Sequence, residues 1–567
     1  VTHLMDGKKQ QNGCKGCTLA AETASRMEIR GNITDIRNRK IYYGHLQTTG
    51  ARISKITPLG GEQPGAPYLL PGFVDAHVHI ESSMLVPSQF ARLAAVHGTV
   101  ATVSDPHEIA NVCGTAGVEY MITEADAVPF KFYFGAPSCV PATAFETAGA
   151  HIDAAAIEAL LQRKEIVYLA EMMNFPGVLQ ADAEVMQKLA AAKRWNKPID
   201  GHAPGLRGAD AKKYFTAGPS TDHECFTLEE AEEKLGYGCK ILIREGSAAK
   251  NFEALWPLLH RHSGMCMFCS DDKHPDSLVQ GHINDLCARA VAKGVDVFHV
   301  LEAACINPVL HYGLKVGLLR EADFADFIVV EDLQHFRVRM TVIDGQVVAQ
   351  DKTSLLAPPT ASVINQFKAT HVIAADFAVP YAGAALIPVI EALDGQLITN
   401  KLMLPPKVVN GYVVADAAND VLKMVVVNRY KPAPPAVGFI KNFGLKGAAI
   451  ASSVAHDSHN MVAVGSDDDL LAEAVSLVAG AQGGISIVNA RDHRVLPLPV
   501  AGLMSTGDGY AVADAYEAMD AAAKAAGSTL TAPYMTLSFM ALLVIPHLKM
   551  SDRGLFDGDS FSFVAPA

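Results

Sequence analysis

Residues 69–79 of the 567-residue chain are LLPGFVDAHVH, an apolar run that ends in two histidines separated by one residue. A short apolar run punctuated by Pro and Gly predicts a buried β-strand. Alternate side chains of an extended strand point to the same face, so His77 and His79 lie on one side of the chain. Paired imidazoles at the end of a buried strand indicate a metal site.

Seven further strand-like runs follow, separated by Ala-, Leu- and Glu-rich stretches of helical character. They are TVATVSD (99–105), FKFYFGAPS (130–138), EIVYLAEMM (165–173), KPIDGHA (197–203), GPSTDHE (218–224), KILIREGS (240–247) and MCMFCSDD (265–272). Eight alternating β and α units in about 250 residues match a closed barrel in number and size. The sequence therefore predicts an α/β fold with a (β/α)8 TIM-like barrel over residues 70–318.

The predicted barrel interrupts a second, smaller domain. Short strand patterns occupy residues 26–70 before it and 319–350 after it, and Gly, Asn and other polar residues form the turns in the first of these segments. We expect residues 1–69 and 319–355 to pair into one small β-sandwich domain. The remaining residues, 356–567, mix strand and helix patterns with Pro-rich punctuation, which predicts a C-terminal α+β domain.

Ligand-type side chains recur at the C-terminal ends of the predicted barrel strands, where the active site of such a barrel is built. They are His77, His79, Glu171, His202, His223 and Asp271. A single histidine at a strand end is more often a hydrogen-bonded core residue, but burying six such groups without partners would be costly. We therefore predict that they bind divalent metal, and imidazole with carboxylate suits zinc, iron(II) or manganese.

Composition argues against several kinds of partner. The formal charge is −13, from 47 basic and 60 acidic residues, and the chain has no long Lys/Arg run, so a nucleic-acid partner is not expected. No segment approaches the roughly 18 uninterrupted apolar residues of a membrane helix, and the N-terminus has no apolar signal core. We expect a cytoplasmic protein with no membrane partner, and an apolar fraction of 50% is compatible with a homo-oligomer.

Ten cysteines in so long a chain do not form the pattern of a disulfide framework. Two CxxC pairs, Cys14/Cys17 and Cys266/Cys269, have spacings found in tetrahedral zinc sites. The second pair lies inside the strand-like run MCMFC. Buried or free thiols are therefore the interpretation that we favour over a zinc knuckle.

Longer strings around the ligands resemble one protein family. PGFVDAHVHIESSM (71–84) resembles the first-strand signature of the amidohydrolase superfamily. Other strings are similar to the bacterial adenine deaminases, namely VSDPHEIANVCG (103–114), LAEMMNFPGV (169–178), DGHAPGLRG (200–208), STDHE (220–224), SDDKHP (270–275), GFIKNFGLKGAAIASSVAHDSHNMVAVG (438–465) and LPLPVAGLMS (496–505). The resemblance covers residues 26–567 and includes a C-terminal domain that most amidohydrolases lack.

The resemblance implies how the ligands are shared. One metal would be held by His77, His79 and Asp271, the other by His202 and His223, with Glu171 as the bridge. Many superfamily members use a carboxylated lysine as that bridge, but here the nearest lysine, Lys164, precedes the strand. The implied reaction is purine-salvage chemistry, the hydrolytic deamination of adenine to hypoxanthine and ammonia by a hydroxide that bridges two divalent metals (Mn, Fe or Zn).

Individual roles are assigned from the same resemblance and from position. Asp271 is expected to accept the proton of the attacking water, its usual role in the superfamily. The catalytic candidates are Asp271, Glu171, His223 and Asp105. The substrate-binding candidates are Glu81, Ser82, Ser83 and Glu224, each of which could instead orient a metal ligand. In the C-terminal domain, His456, Asp457 and His459 could reach over the barrel mouth, bind metal or serve packing alone.

Two other functions stay open at this point. One is an amidohydrolase that acts on another cyclic amide or a modified purine. The other is a catalytically silent metal-binding protein, against which the complete ligand set argues. The HxE and PCxxC pattern of the cytidine-deaminase type is absent. The pair His107-Glu108 is no zincin helix either, because Asn111 stands where the second histidine would be.

Overall fold

The computed structural model describes residues 26–357, 360–369 and 371–566. The first strands are β1 (Glu28–Asp35), β2 (Lys40–Thr49), β3 (Arg52–Gly61) and β4 (Tyr68–Pro71). Antiparallel pairing joins β1 to β2 and β2 to β3, whereas β4 runs parallel to β1. This leaves the far side of β4 available to strands that come later in the chain.

Eight parallel strands then form the barrel. They are β5 (Phe73–Val78), β6 (Thr99–Ser104), β7 (Lys131–Ala136), β8 (Ile166–Met172), β9 (Ile199–Gly201), β10 (Thr221–Asp222), β11 (Lys240–Arg244) and β12 (Cys266–Cys269). They pair in two runs, β5 to β9 and β10 to β12. The Ser220 amide donates to Ile199 O at 2.8 Å and the Asp271 amide donates to His77 O at 2.9 Å. These two contacts close the ring, and all eight predicted strand positions are confirmed.

Helices cover the outside of the barrel. They are α1 (Pro87–Ala95), α2 (His107–Cys113), α3 (Thr115–Ala125), α4 (Ala154–Leu161), α5 (Phe175–Gln180), α6 (Ala183–Arg194), α7 (Gly208–Ala217), α8 (Leu228–Leu235), α9 (Phe252–Leu255), α10 (Leu259–His262), α11 (Pro275–Gln280), α12 (Ile283–Ala292), α13 (Val297–Leu301) and α14 (Asn307–Tyr312). Side chains cap several of them: Asp182 accepts from the Glu184 and Val185 amides at 3.0 Å. With helices outside and side chains inside, β5, β6 and β12 are buried at every position.

The cysteine predictions divide between described and undescribed parts of the chain. Cys266 and Cys269 are buried free thiols within β12, as expected for strand residues that pack in a core. Cys14 and Cys17 lie outside the described residues.

Strands after the barrel return to the first sheet. They are β13 (Phe327–Val330), β14 (Val338–Ile343), β15 (Gln346–Gln350) and β16 (Thr353–Ser354). The sheet order is β16-β15-β14-β13-β4-β1-β2-β3, with β13 antiparallel to β4. Segments from both sides of the barrel thus share one eight-stranded sheet, whose apolar core includes Ile33, Leu69 and Phe327.

In the residues that the structure describes, the C-terminal part combines three sheets with three α-helices. Its strands are β17 (Val379–Pro380), β18 (Ile387–Ala392), β19 (Thr399–Leu404), β20 (Lys407–Val409), β21 (Tyr412–Val414), β22 (Val421–Val427), β23 (Ala436–Lys441), β24 (Ala448–Ser452), β25 (Met461–Gly465), β26 (Gly484–Asn489), β27 (His493–Pro497), β28 (Leu548–Ser551), β29 (Gly554–Asp557) and β30 (Ser562–Val564), and its helices are α15 (Asp468–Gly480), α16 (Gly509–Ala525) and α17 (Pro533–Phe539). The main sheet has the order β19-β18-β23-β22-β25-β24-β26-β27. In the described ranges no helix has the length and apolar character needed to span a membrane.

Helix α16 docks the C-terminal part onto the barrel. The Gly509 amide, at the start of α16, donates to Gln89 Oε1 at 3.0 Å. Seven residues further, the Tyr516 hydroxyl lies 2.6 Å from His274 Nδ1. Since His274 follows the last barrel strand, the C-terminal part covers the barrel end at which the predicted ligands lie.

Candidate metal centre

All six predicted ligands meet at one end of the barrel, and all six are buried. They stand at the ends of five strands: His77 and His79 at β5, Glu171 in β8, His202 after β9, His223 after β10 and Asp271 after β12. The strand ends are fixed by the parallel hydrogen-bond ladder, so these side chains are held in place by the barrel and not by mobile loops.

The first group is formed by His77, His79 and Asp271. The Nε2 atoms of the two imidazoles lie 3.2 Å apart. Asp271 Oδ1 is 3.4 Å from His77 Nε2 and 3.1 Å from His79 Nε2. Two ring nitrogens and a carboxylate oxygen that converge in this way match the ligand set of a divalent cation.

The second group is formed by His202, His223 and Glu171. Glu171 Oε2 is 2.8 Å from His202 Nδ1 and 3.1 Å from His223 Nε2. The other oxygen of Glu171, Oε1, is 3.4 Å from His79 Nε2 in the first group. Glu171 therefore directs one oxygen toward each histidine group, as a bridging ligand would.

Charge within the site favours ionised carboxylates. Burial raises the pKa of Glu171, but the His202 and His223 imidazoles outweigh it and hold that pKa well below its usual range. Burial opposes ionisation of Asp271 too, but Arg244 and hydrogen bonds from the imidazoles keep its pKa well below the ordinary value. Ionised carboxylates beside imidazoles are the protonation states that metal binding requires.

Arg244, which the sequence analysis did not select, is an integral part of this site. Its Nη1 donates to Asp271 Oδ2 at 2.7 Å and its Nη2 donates to Glu224 Oε2 at 3.2 Å. Burial raises the pKa of Glu224, but Arg244 and the neighbouring histidines lower it far more. The sequence offered one signal that could have identified Arg244: it is a charged residue in the predicted strand KILIREGS, at a position where a buried side chain is expected.

His107 is a second residue that the sequence analysis missed. It begins α2, with Nδ1 3.1 Å from Asp105 Oδ2 and 3.5 Å from Glu171 Oε1. Its backbone amide also donates to Asp105 Oδ1 at 3.1 Å. Asp105, a predicted catalytic residue, therefore binds the His107 backbone and lies beside its ring, which faces the Glu171 carboxylate. The string SDPHE directly after β6 was the signal that could have identified His107.

The predicted substrate-binding residues divide into two sets. Three of them make local contacts: Glu81 Oε1 accepts from the Ile109 amide (3.1 Å), Ser82 Oγ donates to Asp272 Oδ1 (2.5 Å) and Ser83 Oγ donates to Ile80 O (2.6 Å). Among the described residues, the lining of the cleft above the ligands does not include these three. Glu224, the fourth, lines that cleft beside His223.

The C-terminal loop that carries His456 and His459 is fastened to the barrel through Glu108. Glu108 Oε1 is 2.5 Å from His456 Nδ1, and Glu108 Oε2 contacts His459 Nε2. Burial raises the pKa of Glu108, but His456, His107 and His459 together hold it well below the usual range. This buried charge cluster joins residues 348 positions apart in the chain.

The cleft over the ligands has a polar floor and a largely apolar wall. The barrel residues of the floor are His79, His107, Glu108, Glu171, His202, His223, Glu224, Arg244, Asp271 and Asp272. The C-terminal part contributes Leu397, His456, Asp457, Phe539, Leu542 and Val544, and Met173 completes the lining. Convergent polar groups beneath an apolar wall are typical of small-molecule sites.

Two family models match the chain. The amidohydrolase family model matches residues 68–348, and the model of the adenine deaminase C-terminal domain matches residues 396–562. The first match contains all eight barrel strands. The second contains the loop with His456 and His459 and the apolar wall of the cleft.

Whole-chain relatives agree with these models. An adenine deaminase of Salinibacter ruber is 54% identical over 538 residues, covering 94% of this chain and 98% of the relative. An adenine deaminase of Sulfurovum is 53% identical over 539 residues, covering 95% and 99% of the two chains. Among solved structures, an N-isopropylammelide isopropylaminohydrolase from Burkholderia multivorans matches 58% of this chain and 100% of its own, at 16% identity and a TM-score of 0.43.

Proposed function

The chain belongs to the adenine deaminase family, and we propose that the six buried strand-end ligands hold two divalent metals with which it deaminates adenine. The reaction is a hydrolysis in which water replaces the 6-amino group, giving hypoxanthine and ammonia. The enzyme is a metal-dependent aminohydrolase, and its substrate is a small purine.

One observation carries the assignment of the ligands. Glu171 directs Oε1 toward His79 and Oε2 toward His202 and His223. A single carboxylate placed between two imidazole groups supports two cations that share it, with His77, His79 and Asp271 on one side. The donor set contains imidazole and carboxylate only, which suits manganese, iron(II) or zinc. Divalent metals, when bound, lower the pKa of a water molecule and so supply a nucleophile at neutral pH.

Asp271 is placed to take the proton of the attacking water. Its Oδ1 faces the imidazoles of the first group, while Arg244 holds its Oδ2 and fixes the orientation of the carboxylate. A carboxylate kept ionised beside a guanidinium can accept a proton and deliver it to the leaving ammonia. Glu224, on the other side of Arg244, keeps that guanidinium in place.

His107 and Asp105 supply a second proton-handling pair. His107 Nδ1 faces both carboxylates, 3.1 Å from Asp105 Oδ2 and 3.5 Å from Glu171 Oε1. Burial lowers the pKa of His107, but Asp105 and Glu108 raise it well above the ordinary value. We assign to His107 the proton that the purine ring gains as its C6 becomes tetrahedral, and Asp105 lies beside the imidazole. His107 regains a proton from the C6 hydroxyl group when ammonia leaves and the carbonyl of hypoxanthine forms.

The test is ammonia release from adenine by metal-loaded protein. We expect the protein loaded with manganese, iron(II) or zinc to release ammonia and hypoxanthine in equal amounts, and chelated protein to release neither. Activity on a cyclic amide such as a hydantoin, with none on adenine, would contradict the proposal and favour a different amidohydrolase function. Bound metal without hydrolysis of any compound in the panel would favour a silent metal-binding protein.

A further inference from the structure

Asp457 brings a carboxylate of the C-terminal part into the cleft. It is 3% exposed and lines the cleft. Its Oδ2 is buried and has no hydrogen-bond partner among the described residues. The nearest basic atom is His107 Nε2, 3.9 Å from Asp457 Oδ1 and so beyond hydrogen-bond distance.

The neighbours of Asp457 already have partners. His456 and His459 both contact Glu108, and Ser458 O accepts from the Tyr430 hydroxyl at 2.5 Å. A buried carboxylate without a donor is costly, and most buried polar groups in proteins are paired. On this loop, the Asp457 carboxylate is therefore the group that can accept a hydrogen bond from a molecule in the cleft.

Asp457 and the candidate metal centre lie on opposite sides of the His107 ring. His107 lies between the two, with Nδ1 3.5 Å from Glu171 Oε1 and Nε2 3.9 Å from Asp457 Oδ1. Glu171 and Asp457 are thus separated by the width of an imidazole ring and a contact on either side. A bicyclic base that lay alongside the His107 ring, with one end at Glu171, would extend its other end toward Asp457.

Apolar side chains of the C-terminal part line the cleft together with Asp457. The Phe539 ring stacks on His456 with centroids 4.9 Å apart and an interplanar angle of 26°. Leu397 and Leu542 continue this surface. The wall is held from behind by the buried Lys549, whose Nζ donates to Leu397 O at 2.5 Å and Phe539 O at 3.0 Å. An aromatic ring lying on this wall would present its edge, where its N–H groups lie, to the carboxylate.

We propose that Asp457 accepts a hydrogen bond from the N–H of the five-membered ring of the free purine base, and so selects the base over its N9-substituted forms. The inference rests on the proposed function, since it assumes that the 6-amino end of adenine lies at the metal centre. Free adenine carries a ring N–H at the opposite end. A nucleoside has carbon in place of that hydrogen, so it would leave Asp457 unpaired and would add bulk against the wall.

The experiment compares adenine with 9-methyladenine as substrates of the metal-loaded wild-type enzyme and three variants. Wild type should favour adenine in kcat/KM by more than about 100-fold, because a buried polar group left without its partner rejects the analogue strongly. Asp457→Ala should reduce this preference about 10- to 100-fold, mainly through a higher KM for adenine. Asp457→Asn keeps an acceptor oxygen of the same shape and should retain part of the preference.

A matched control separates recognition from loop structure. His459→Gln alters the same loop but contacts Glu108 and does not line the cleft, so it should change kcat/KM for both substrates by the same factor. Metal content should match wild type in all variants. An unchanged preference in Asp457→Ala, or equal wild-type activity on both substrates, would overturn the inference and leave the proposed function standing. Failure of wild type to deaminate adenine would refute the proposed function and the inference with it.

Discussion

Arg244 donates from Nη1 to Asp271 Oδ2 over 2.7 Å, while Asp271 Oδ1 lies 3.1 Å from His79 Nε2. The carboxylate is therefore held from one side by a guanidinium and faces the metal-ligand cluster with the other. Both side chains are buried. A buried ion pair of this kind has a large effect when one partner is removed, because the remaining charge loses its compensation.

The first prediction concerns this pair. Arg244→Met should lower kcat/KM for adenine by about 100-fold or more, since Asp271 and Glu224 both lose their cationic partner. Steady-state kinetics at fixed metal loading measures the effect. Arg289→Met is the control, because Arg289 forms partly exposed pairs with Glu245 and Glu253, which contribute little to stability. Equal activity in the two variants would contradict the role given to Arg244.

The second prediction concerns the shared carboxylate. Glu171→Gln should lower both metal content and turnover, because an amide cannot supply two anionic oxygens to two cations; we expect a loss of activity of at least about 100-fold. Elemental analysis of the purified variant gives the metal content. Glu165→Gln is the matched control, since Glu165 precedes the same strand, β8, and is partly exposed. Full metal content and activity in Glu171→Gln would rule out the bridging role.

The third prediction concerns the contact between the C-terminal loop and the barrel. His459→Ala should lower turnover with both barrel metals retained, because Glu108 loses one of the two loop imidazoles that contact its carboxylate. Removing a hydrogen bond to a charged group costs about 1.5–3 kcal/mol, so the Tm should fall as well. His493→Ala, which removes an exposed imidazole paired with Glu473 in the same part of the chain, should leave both unchanged. Wild-type kinetics in His459→Ala would show that the loop serves packing alone.

The fourth prediction is a pH dependence of stability. Burial lowers the pKa of Lys549 from 10.5 to about 7. Between these two values the unfolded chain binds a proton that the folded protein lacks, so the contribution of Lys549 to stability rises with pH and is smallest below pH 7. Lys549→Met removes this contribution. The free energy of unfolding of wild type should therefore rise relative to that of Lys549→Met between pH 7 and pH 9, by at most about 1.4 kcal/mol per pH unit. The Tm of wild type should rise relative to that of the variant in the same range.

The control for this measurement is Lys446→Met, which changes an exposed lysine in the same part of the chain. Its Tm difference from wild type should not vary over the same pH range. A constant difference between wild type and Lys549→Met would show that Lys549 is charged in the folded protein, contrary to the expectation.

The barrel and its ligands could be predicted because their signals are local. Each strand is a short apolar run, and each ligand follows such a run within a few residues, as in DAHVH and STDHE. Parallel strands in a barrel all end at the same rim, so position along a strand is enough to predict that His77 and Asp271 approach each other. The pairing between β13 and β4 is less local, but the strand patterns on both sides of the barrel indicated it.

The rest of the site depends on contacts between distant segments, which no short pattern encodes. The contact between Glu108 and His456 spans 348 positions, and the wall residue Phe539 comes from a helix, PYMTLSF, that contains no charged or metal-ligating residue. Arg244 was overlooked because a charged residue at the end of a strand is usually exposed to solvent, and the sequence alone does not show that this one is buried. His107 was considered only as part of a zincin motif, although its role depends on the fold of the loop after β6.

The most direct measurement is a titration of metal-free protein with manganese while ammonia release from adenine is followed. We expect activity to rise with added metal and to reach its maximum at two equivalents per chain, and Glu171→Gln to stay below that maximum at any metal concentration. Full activity in metal-free protein, or a maximum at one equivalent, would contradict the claim that two metals sharing Glu171 carry the reaction.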